Sequence, residues 1–329
     1  MTTSFFPAPL DLETGNARPA LRAAADAARN RSPAVLAVVV QTEGSTYSRA
    51  GTCVLFAGDE QIGWLSGGCL EPELARAACR VAAEGQLCWV KIDTRDDAAL
   101  FSGNAVGCRG CQWIALLPLH ELPSLADCLD VWLQGRDTLR LSLATKGLVE
   151  GRCAGSSFRT QLPVLKSDEA IETSAWRLQW HRPPLVQLHG AGPEALTLVP
   201  MLEHQGWLIQ IVEPRRAWQA RLPALQQRNE VQADRQVDAA LVMHHNFELD
   251  LDALRLLARS RIPFIGLLGP RQRREDLFKV LDAGTRVALE PRLRSPIGLA
   301  LGGRGPEAIA LSITAQLQAW RHGSALGST

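Results

Sequence analysis

The sequence has no run of about 18 apolar residues, so no segment reads as a membrane-spanning helix. It has no excess of either charge: 35 Lys and Arg face 34 Asp and Glu, for a formal net charge of +1. Bulk electrostatics therefore exclude a nucleic-acid binder or a membrane-surface protein as expectations. The first residues, "MTTSFFPAPLDLETGN", lack a basic stretch followed by a long apolar run and make a poor secretion signal. There is no internal repeat and no low-complexity block; the 19 prolines and 27 glycines are scattered as punctuation. No cysteine follows Cys153. The eight thiols, Cys53, Cys69, Cys79, Cys88, Cys108, Cys111, Cys128 and Cys153, all sit in the first half. Without a secretion signal they read as reduced thiols of a cytoplasmic protein. Their one-sided placement implies that the two halves do different chemistry.

What is present is enough for about two domains. The 329 residues are 46% hydrophobic and 21% charged, so a sizeable core can be buried. In the first half, "PAVLAVVVQTEG" (33–44) reads as a buried strand ended by Gly44. "GTCVLFAGDEQIGWLSGG" reads as two strands joined at Gly58-Asp59. "EPELARAACRVAAEG" (71–85) has the apolar stripe of a helix and a terminal glycine stop. "CWVKID" and "CQWIALLPL" read as further strands, separated by a long loop, "TRDDAALFSGNAVGCRG". Residues 121–182 hold one amphipathic helix, "LADCLDVWLQ", short strands such as "LRLSLAT", and a proline-rich link, "HRPPL". From 183 onward strands and helices alternate, which predicts a doubly wound parallel sheet. The fold class expected is α/β: a mixed α/β cysteine-bearing domain over 1–120, middle strands and linker over 121–182, and a Rossmann-like domain over 183–329.

Five constellations carry chemistry. Gly190-Ala191-Gly192-Pro193-Glu194-Ala195 follows a strand and opens a helix, the context of a dinucleotide fingerprint. Its glycines permit a tight turn and close approach to a phosphate at a helix N-terminus. Glu213 ends the next strand, where an acid commonly holds a ribose hydroxyl. A loop that serves packing alone is the competing reading. In "GLLGPRQRR", Arg271, Arg273 and Arg274 open a helix whose dipole disfavours cations, so a docked anion or plain solvation would resolve the conflict. His244 and His245 end a parallel strand, where ligands of such sheets bind, and read as a base, a ligand or a polar lining. Cys108-Arg109-Gly110-Cys111 is a single C-x-x-C without the second pair that a zinc site needs. Ser66-Gly67-Gly68-Cys69 precedes a helix. With the helix starting at about Leu70, Cys69 sits at its N-cap, where amides and the helix dipole favour a thiolate, both nucleophile and soft-metal ligand. Gly67 and Gly68 present amides to an anion. An inert buried cysteine is the bland alternative.

Together these segments resemble the XdhC/CoxI family, accessory proteins of molybdenum hydroxylases. The resemblance rests on "TEGSTYSRAGT", "GWLSGGCLEPEL" and "VGCRGC" in the first half. In the second half it rests on "HGAGPEALTLVPMLEHQGWLIQIVEPR", "FIGLLGPRQRR" and "SPIGLALGGRGPEAIALSITAQL". It implies a protein that binds the molybdenum cofactor (molybdopterin), protects it while a cysteine desulfurase supports its sulfuration, and delivers it to an apo molybdenum hydroxylase without turnover of its own. The hydroxylase would be of xanthine dehydrogenase, aldehyde oxidoreductase or carbon-monoxide type. Further implied partners are the cofactor biosynthesis proteins; a homodimer is expected from the apolar content. Cys69 matches the family's Gly-Gly-Cys cysteine and Cys108 a second family cysteine; both are implied metal ligands. Arg109 replaces a usual glycine, Cys111 is additional, His189 is an unusual residue before the glycines, and Glu213 stands where Asp is common. Gly67, Gly68, Gly190, Gly192, Glu213, His244 and Arg271 are the expected cofactor-binding residues, with a nucleotide as a further candidate for the Rossmann crevice. The competing function is an NAD(P)-dependent oxidoreductase with His244 as acid–base.

Overall fold

A computed structural model describes residues 10–11, 15–95, 109–166, 175–216 and 236–323. The chain divides into two compact units, Met1–Arg182 and Pro183–Thr329.

Unit 1 is built on two sheets. In the first, β2 (Ala34–Gly44) is the central strand, flanked by β3 (Cys53–Ala57) and β6 (Gly110–Pro118), with β4 (Glu60–Ile62) and β5 (Cys88–Asp93) at the edges; every pairing is antiparallel. The run Ala34–Val40 is continuously buried because both faces are covered. Val35, Ala37 and Val39 face α2 (Glu71–Glu84) through Leu74, Ala78 and Val81. Leu36, Val38 and Val40 face the other way, into a core shared with α1 (Arg18–Arg29) and α3 (Leu125–Leu133). Gly85, at φ 64°, closes α2 in the left-handed conformation that glycine adopts without a Cβ penalty.

The second sheet of unit 1 is formed mainly by residues 139–180. Its order is β1 (Leu10–Asp11), β10 (Ala175–Trp180), β7 (Leu139–Ala144), β8 (Leu148–Cys153), β9 (Ser156–Gln161). Alternation sorts its faces: Leu139, Leu141, Leu143, Val149, Trp176 and Trp180 enter the α1/α3 core, and the polar positions between them face out.

Unit 2 is a parallel sheet. Its order is β12 (Leu208–Val212), β11 (Leu185–His189), β13 (Ala239–Val242), β14 (Phe264–Leu267), β15 (Leu293–Arg294), or 2-1-3-4-5 in chain order. The helices are α4 (Ala195–His204), α5 (Phe247–Ala258), α6 (Arg271–Val280), α7 (Ala283–Leu289) and α8 (Pro306–Arg321). Separate apolar cores on its two faces make it doubly wound, as the alternation predicts. After α6, Leu281 leaves helical geometry, and the Asp282 side chain caps α7 by accepting from the Thr285 amide at 2.9 Å.

Candidate functional site

In unit 1 three sequence motifs meet around Cys69. β2 and β6 end together at Gly44 and Gly110. The loop after β2 crosses Gly110 so closely that a Cβ there would lie 2.5 Å from Thr46 Cγ2 and 2.7 Å from two backbone oxygens. That contact accounts for the glycine between Arg109 and Cys111. The same loop carries Ser48, whose buried hydroxyl lies 2.8 Å from the Leu65 carbonyl oxygen and 3.2 Å from Gln112 Oε1.

The loop that bears Cys69 is organised by Glu71, the first residue of α2. Its buried carboxylate accepts the amides of Leu65 (2.9 Å) and Ser66 (2.8 Å) and the Ser66 hydroxyl. Ser66 Oγ in turn accepts the amides of Gly68 (3.0 Å) and Leu70 (3.1 Å). Burial pushes the Glu71 carboxyl up, but the Ser66 hydroxyl and the Ser66 and Leu65 amides outweigh it and hold it below the usual glutamate range. Two expectations change here. The helix N-cap is Leu70, so Cys69 lies one residue outside it. The Gly68 amide is turned inward to Ser66, so Gly68 contributes its φ of 104° rather than a free donor. The Gly67 and Cys69 amides have no hydrogen bond among the described residues. Cys69 itself is an exposed free thiol, and Cβ atoms built on Gly67 or Gly68 would meet nothing within 4 Å. The exposed thiol overturns the bland reading of a buried cysteine.

Cys79 on α2 is likewise exposed, and most of the remaining thiols differ. Cys108 lies outside the described residues. Cys111 is buried in β6 opposite Glu43 and Asp93, and burial together with the Asp93 carboxylate pushes its thiol up. Burial likewise raises Cys53 to about 12, Cys128 to about 11 and Cys153 to about 12. These are protonated packing residues at neutral pH. Among the described residues no group of three or more His, Cys, Asp or Glu could hold a metal ion.

In unit 2 the predicted residues converge at the carboxyl ends of the parallel strands, where the order reverses between β11 and β13. Gly190, at φ 97°, ends β11; a Cβ on it would lie 2.6 Å from His244 N and Cα, so the two strand ends touch there. A Cβ on Gly192 would lie 2.5 Å from Glu194 Oε2 and 3.1 Å from His245 Nε2, and these two groups are 3.2 Å apart. The residue at the N-cap of α4 is thus a carboxylate bound to a histidine. Glu213 is buried and engaged internally. It accepts the Ala191 amide (3.0 Å) and a fork from Arg215 Nε (2.8 Å) and Nη2 (2.7 Å), while Arg215 Nη1 donates to the His244 carbonyl (2.9 Å). One carboxylate–guanidinium pair therefore ties together the ends of three strands.

His244 and His245 lie past the end of β13. His245 has φ 55° and is half exposed, whereas His244 is buried. Asp250, fully buried in α5, lies 3.1 Å from His244 Nδ1 and accepts the His244 amide (3.2 Å) and Arg273 Nε (3.0 Å) and Nη2 (2.5 Å). Burial raises its carboxyl, and the His244 and Arg273 hydrogen bonds more than reverse that. So the anion that Arg273 faces is Asp250 of the chain itself, Arg274 lies 5.1 Å over the Phe278 ring, and Arg271 is exposed at the helix start. His189 is buried with no partner for Nε2 among the described residues; burial and then His244 push it down to about 4. Glu71, Arg215 and Asp250 were not singled out from sequence. Asp250 had a signal: it shares one helical stripe with Leu254 and Leu257, an acid on an apolar face.

The family assignment follows from both units. A family model described as the XdhC Rossmann domain matches residues 186–317, and one described as the XdhC and CoxI family matches residues 27–93. A Bacillus subtilis (strain 168) protein, named as a probable subunit of xanthine dehydrogenase, is 24% identical over 318 residues, 88% of this chain and 93% of that protein. A crystal structure described as a xanthine dehydrogenase from Bacillus halodurans shares the fold with a TM-score of 0.73 and 25% identity, covering 94% of this chain and 97% of that one. With a Gly-Gly-Cys loop on one unit, a glycine-rich Rossmann crevice on the other, and a family model matching each, the chain belongs to the XdhC/CoxI family.

Proposed function

We propose that this protein is an accessory factor in the maturation of a molybdenum hydroxylase of the xanthine dehydrogenase type, and that its cargo is the molybdenum cofactor, bound at the Cys69 loop. The observation that carries the reading is the exposed Cys69 thiol on a loop fixed by Ser66 and Glu71, beside the Gly67 and Cys69 amides, which have no hydrogen bond among the described residues. A thiolate is a soft ligand suited to such a metal. With no three-ligand cluster among the described residues, one thiol suits a metal that arrives already chelated, as a dithiolene-bound molybdenum does. The amides suit the anionic groups that accompany it. Cys108 is proposed as the second ligand. In unit 2, Gly190, Gly192 and exposed Arg271 are proposed to hold an anionic group, a nucleotide or a pterin phosphate, while Glu213 and His244 shape the crevice. The apo hydroxylase, a cysteine desulfurase and the cofactor biosynthesis proteins are the proposed partners, and a homodimer the proposed state.

The test is co-expression with the cofactor pathway, followed by molybdenum and pterin analysis of the purified chain. Wild type is expected to carry near-stoichiometric cofactor, Cys69→Ala to lose it, and Cys79→Ala, another exposed thiol, to keep it. Equal loading of the Cys69 variant removes Cys69 from the proposal. The oxidoreductase reading has less support, because Glu213, the acid that would hold a ribose hydroxyl, already accepts Ala191 and Arg215. Tight NAD or NADP binding that fails in Gly192→Trp would restore it.

A further inference from the structure

Strands β7 to β10 of the second sheet of unit 1 lie between the two segments that the family models match, and the outer face of that sheet carries an unusual charge arrangement. A cavity of about 590 Å³ opens on it, lined among others by Arg140, Arg152, Arg159 and Arg177. That volume is within the range of small-molecule sites. Pairing explains how the arginines come together. Arg140 of β7 is directly opposite Arg152 of β8. Two residues along, on the same face, Arg177, Ser142, Glu150 and Arg159 form a row across four strands. Glu150 pairs with Arg159 at 3.3 Å and is the lone acid of the lining among the described residues, which also bring four arginines to the basin. Arg140 and Arg152 take part in no ion pair among the described residues.

Like charges directly opposite on neighbouring strands are destabilising. Nothing in the packing requires two arginines there, because both point away from the core. The arrangement is balanced once an anion sits between them. Guanidinium forks match phosphate oxygens two at a time, and two forks from adjacent strands converge on one phosphate group. Arg159 and Arg177 offer further positive charge one row away, and the Ser142 and Ser157 hydroxyls, also in the lining, offer donors.

We propose that this basin is a binding site for a small molecule bearing a diphosphate or triphosphate group. Arg140 and Arg152 grip one phosphate, and Arg159 and Arg177 the charge beyond it. The site is independent of the thiol loop and of the Rossmann crevice, and the proposal does not rest on the reading of either. The limited volume of the basin, about 590 Å³, favours a small ligand over an acidic protein segment.

Isothermal titration of the full chain tests this, with inorganic pyrophosphate and triphosphate in one arm and ADP and ATP in the other. Binding in either arm by a chain carrying Arg271→Gln, which removes the contribution proposed for the Rossmann crevice, supports the site if it weakens about 10- to 100-fold on adding Arg140→Gln/Arg152→Gln and is unchanged on adding Arg286→Gln at an exposed position. A nucleotide that binds more tightly than pyrophosphate assigns part of the recognition to the organic moiety. The unliganded double variant should melt no lower than wild type, and ligand should raise the melting temperature of wild type only. No binding in either arm, binding that survives the double substitution, or tighter binding of a polyglutamate peptide than of any phosphate would overturn the proposal.

Discussion

Replacing Glu71 by Ala should unfasten the Cys69 loop without touching the thiol. The carboxylate accepts two buried amides and one hydroxyl, and through Ser66 it fixes two more amides, those of Gly68 and Leu70. Leaving a buried donor unsatisfied costs about 1–3 kcal/mol. Two such amides, partly relieved by water entering the vacated space, give a destabilisation of about 2–4 kcal/mol. Amide exchange measured by mass spectrometry or NMR reads the loop directly. Protection at Leu65, Ser66, Gly68 and Leu70 should fall together by about 30- to 1000-fold, at roughly 1.4 kcal/mol per decade. The control is Glu73→Ala, in the same first turn but exposed, which should leave all four unchanged. The charge matters as well as the shape. Because the folded carboxyl lies below its unfolded value, its contribution is complete above the unfolded glutamate value near 4.5 and is lost as pH falls through the folded one. Wild-type protection at these amides should therefore fade below about pH 4.5, and the Ala variant should lack that acid limb. Gly68 and Leu70 keeping their protection while Leu65 and Ser66 lose theirs would refute the idea that Glu71 holds Ser66 in place.

Three further outcomes follow from the same geometry. Timed iodoacetamide labelling with peptide mass spectrometry should modify exposed Cys69 and Cys79 in the native protein and leave Cys53, Cys111, Cys128 and Cys153 unmodified until it unfolds. Gly190→Ala combines a φ of 97° with a Cβ 2.6 Å from backbone and should destabilise unit 2 by about 2 kcal/mol or more, read by urea unfolding. Neutral His189 has a folded value near 4 against an ordinary 6.5, so the unfolded chain binds the extra proton and stability falls from pH 6.5 towards 4, by about 3 kcal/mol. His189→Leu should flatten that part of the pH–stability curve in urea titrations, and an unchanged slope would show that His189 is not its source.

The fold was legible where local pattern and tertiary structure agree. The continuous apolar run 34–40, the alternating strands and helices after 183, and Gly85 as a helix stop were all readable, since each is dictated by burial or by a glycine-only backbone. The site was legible only in part. Cys69 and the glycines of 190–192 announce themselves by residue type, but hydrogen-bond destinations do not. Nothing in "SGGCLEPEL" says that Glu71 folds back under the loop while Glu73 stays in water. The arginines at 271–274 looked alike in the sequence, yet one is bound to a buried aspartate contributed by another helix, one lies over a phenylalanine and one is exposed.

These differences share one cause. In both units a buried carboxylate collects the backbone donors of the loop that carries the family motif: Glu71 takes Leu65 and Ser66, Glu213 takes Ala191, and Asp250 takes the amide of His244. A buried carboxylate needs several donors to remain charged, and a glycine-rich loop needs fixed acceptors to remain ordered, so each supplies what the other lacks. Acids at such positions are therefore poor candidates for direct ligand contact, because their lone pairs are already occupied. Of the motif groups among the described residues, those left without an internal partner are the exposed Cys69 thiol and the Gly67 and Cys69 amides on unit 1, and the exposed Arg271 guanidinium on unit 2. In the proposed function, the soft donor and the two N–H donors on unit 1 suit a cargo that is both metal-bearing and anionic. On unit 2 a cation selects an anion, whereas a ribose hydroxyl would need the very carboxylate that Arg215 and Ala191 hold.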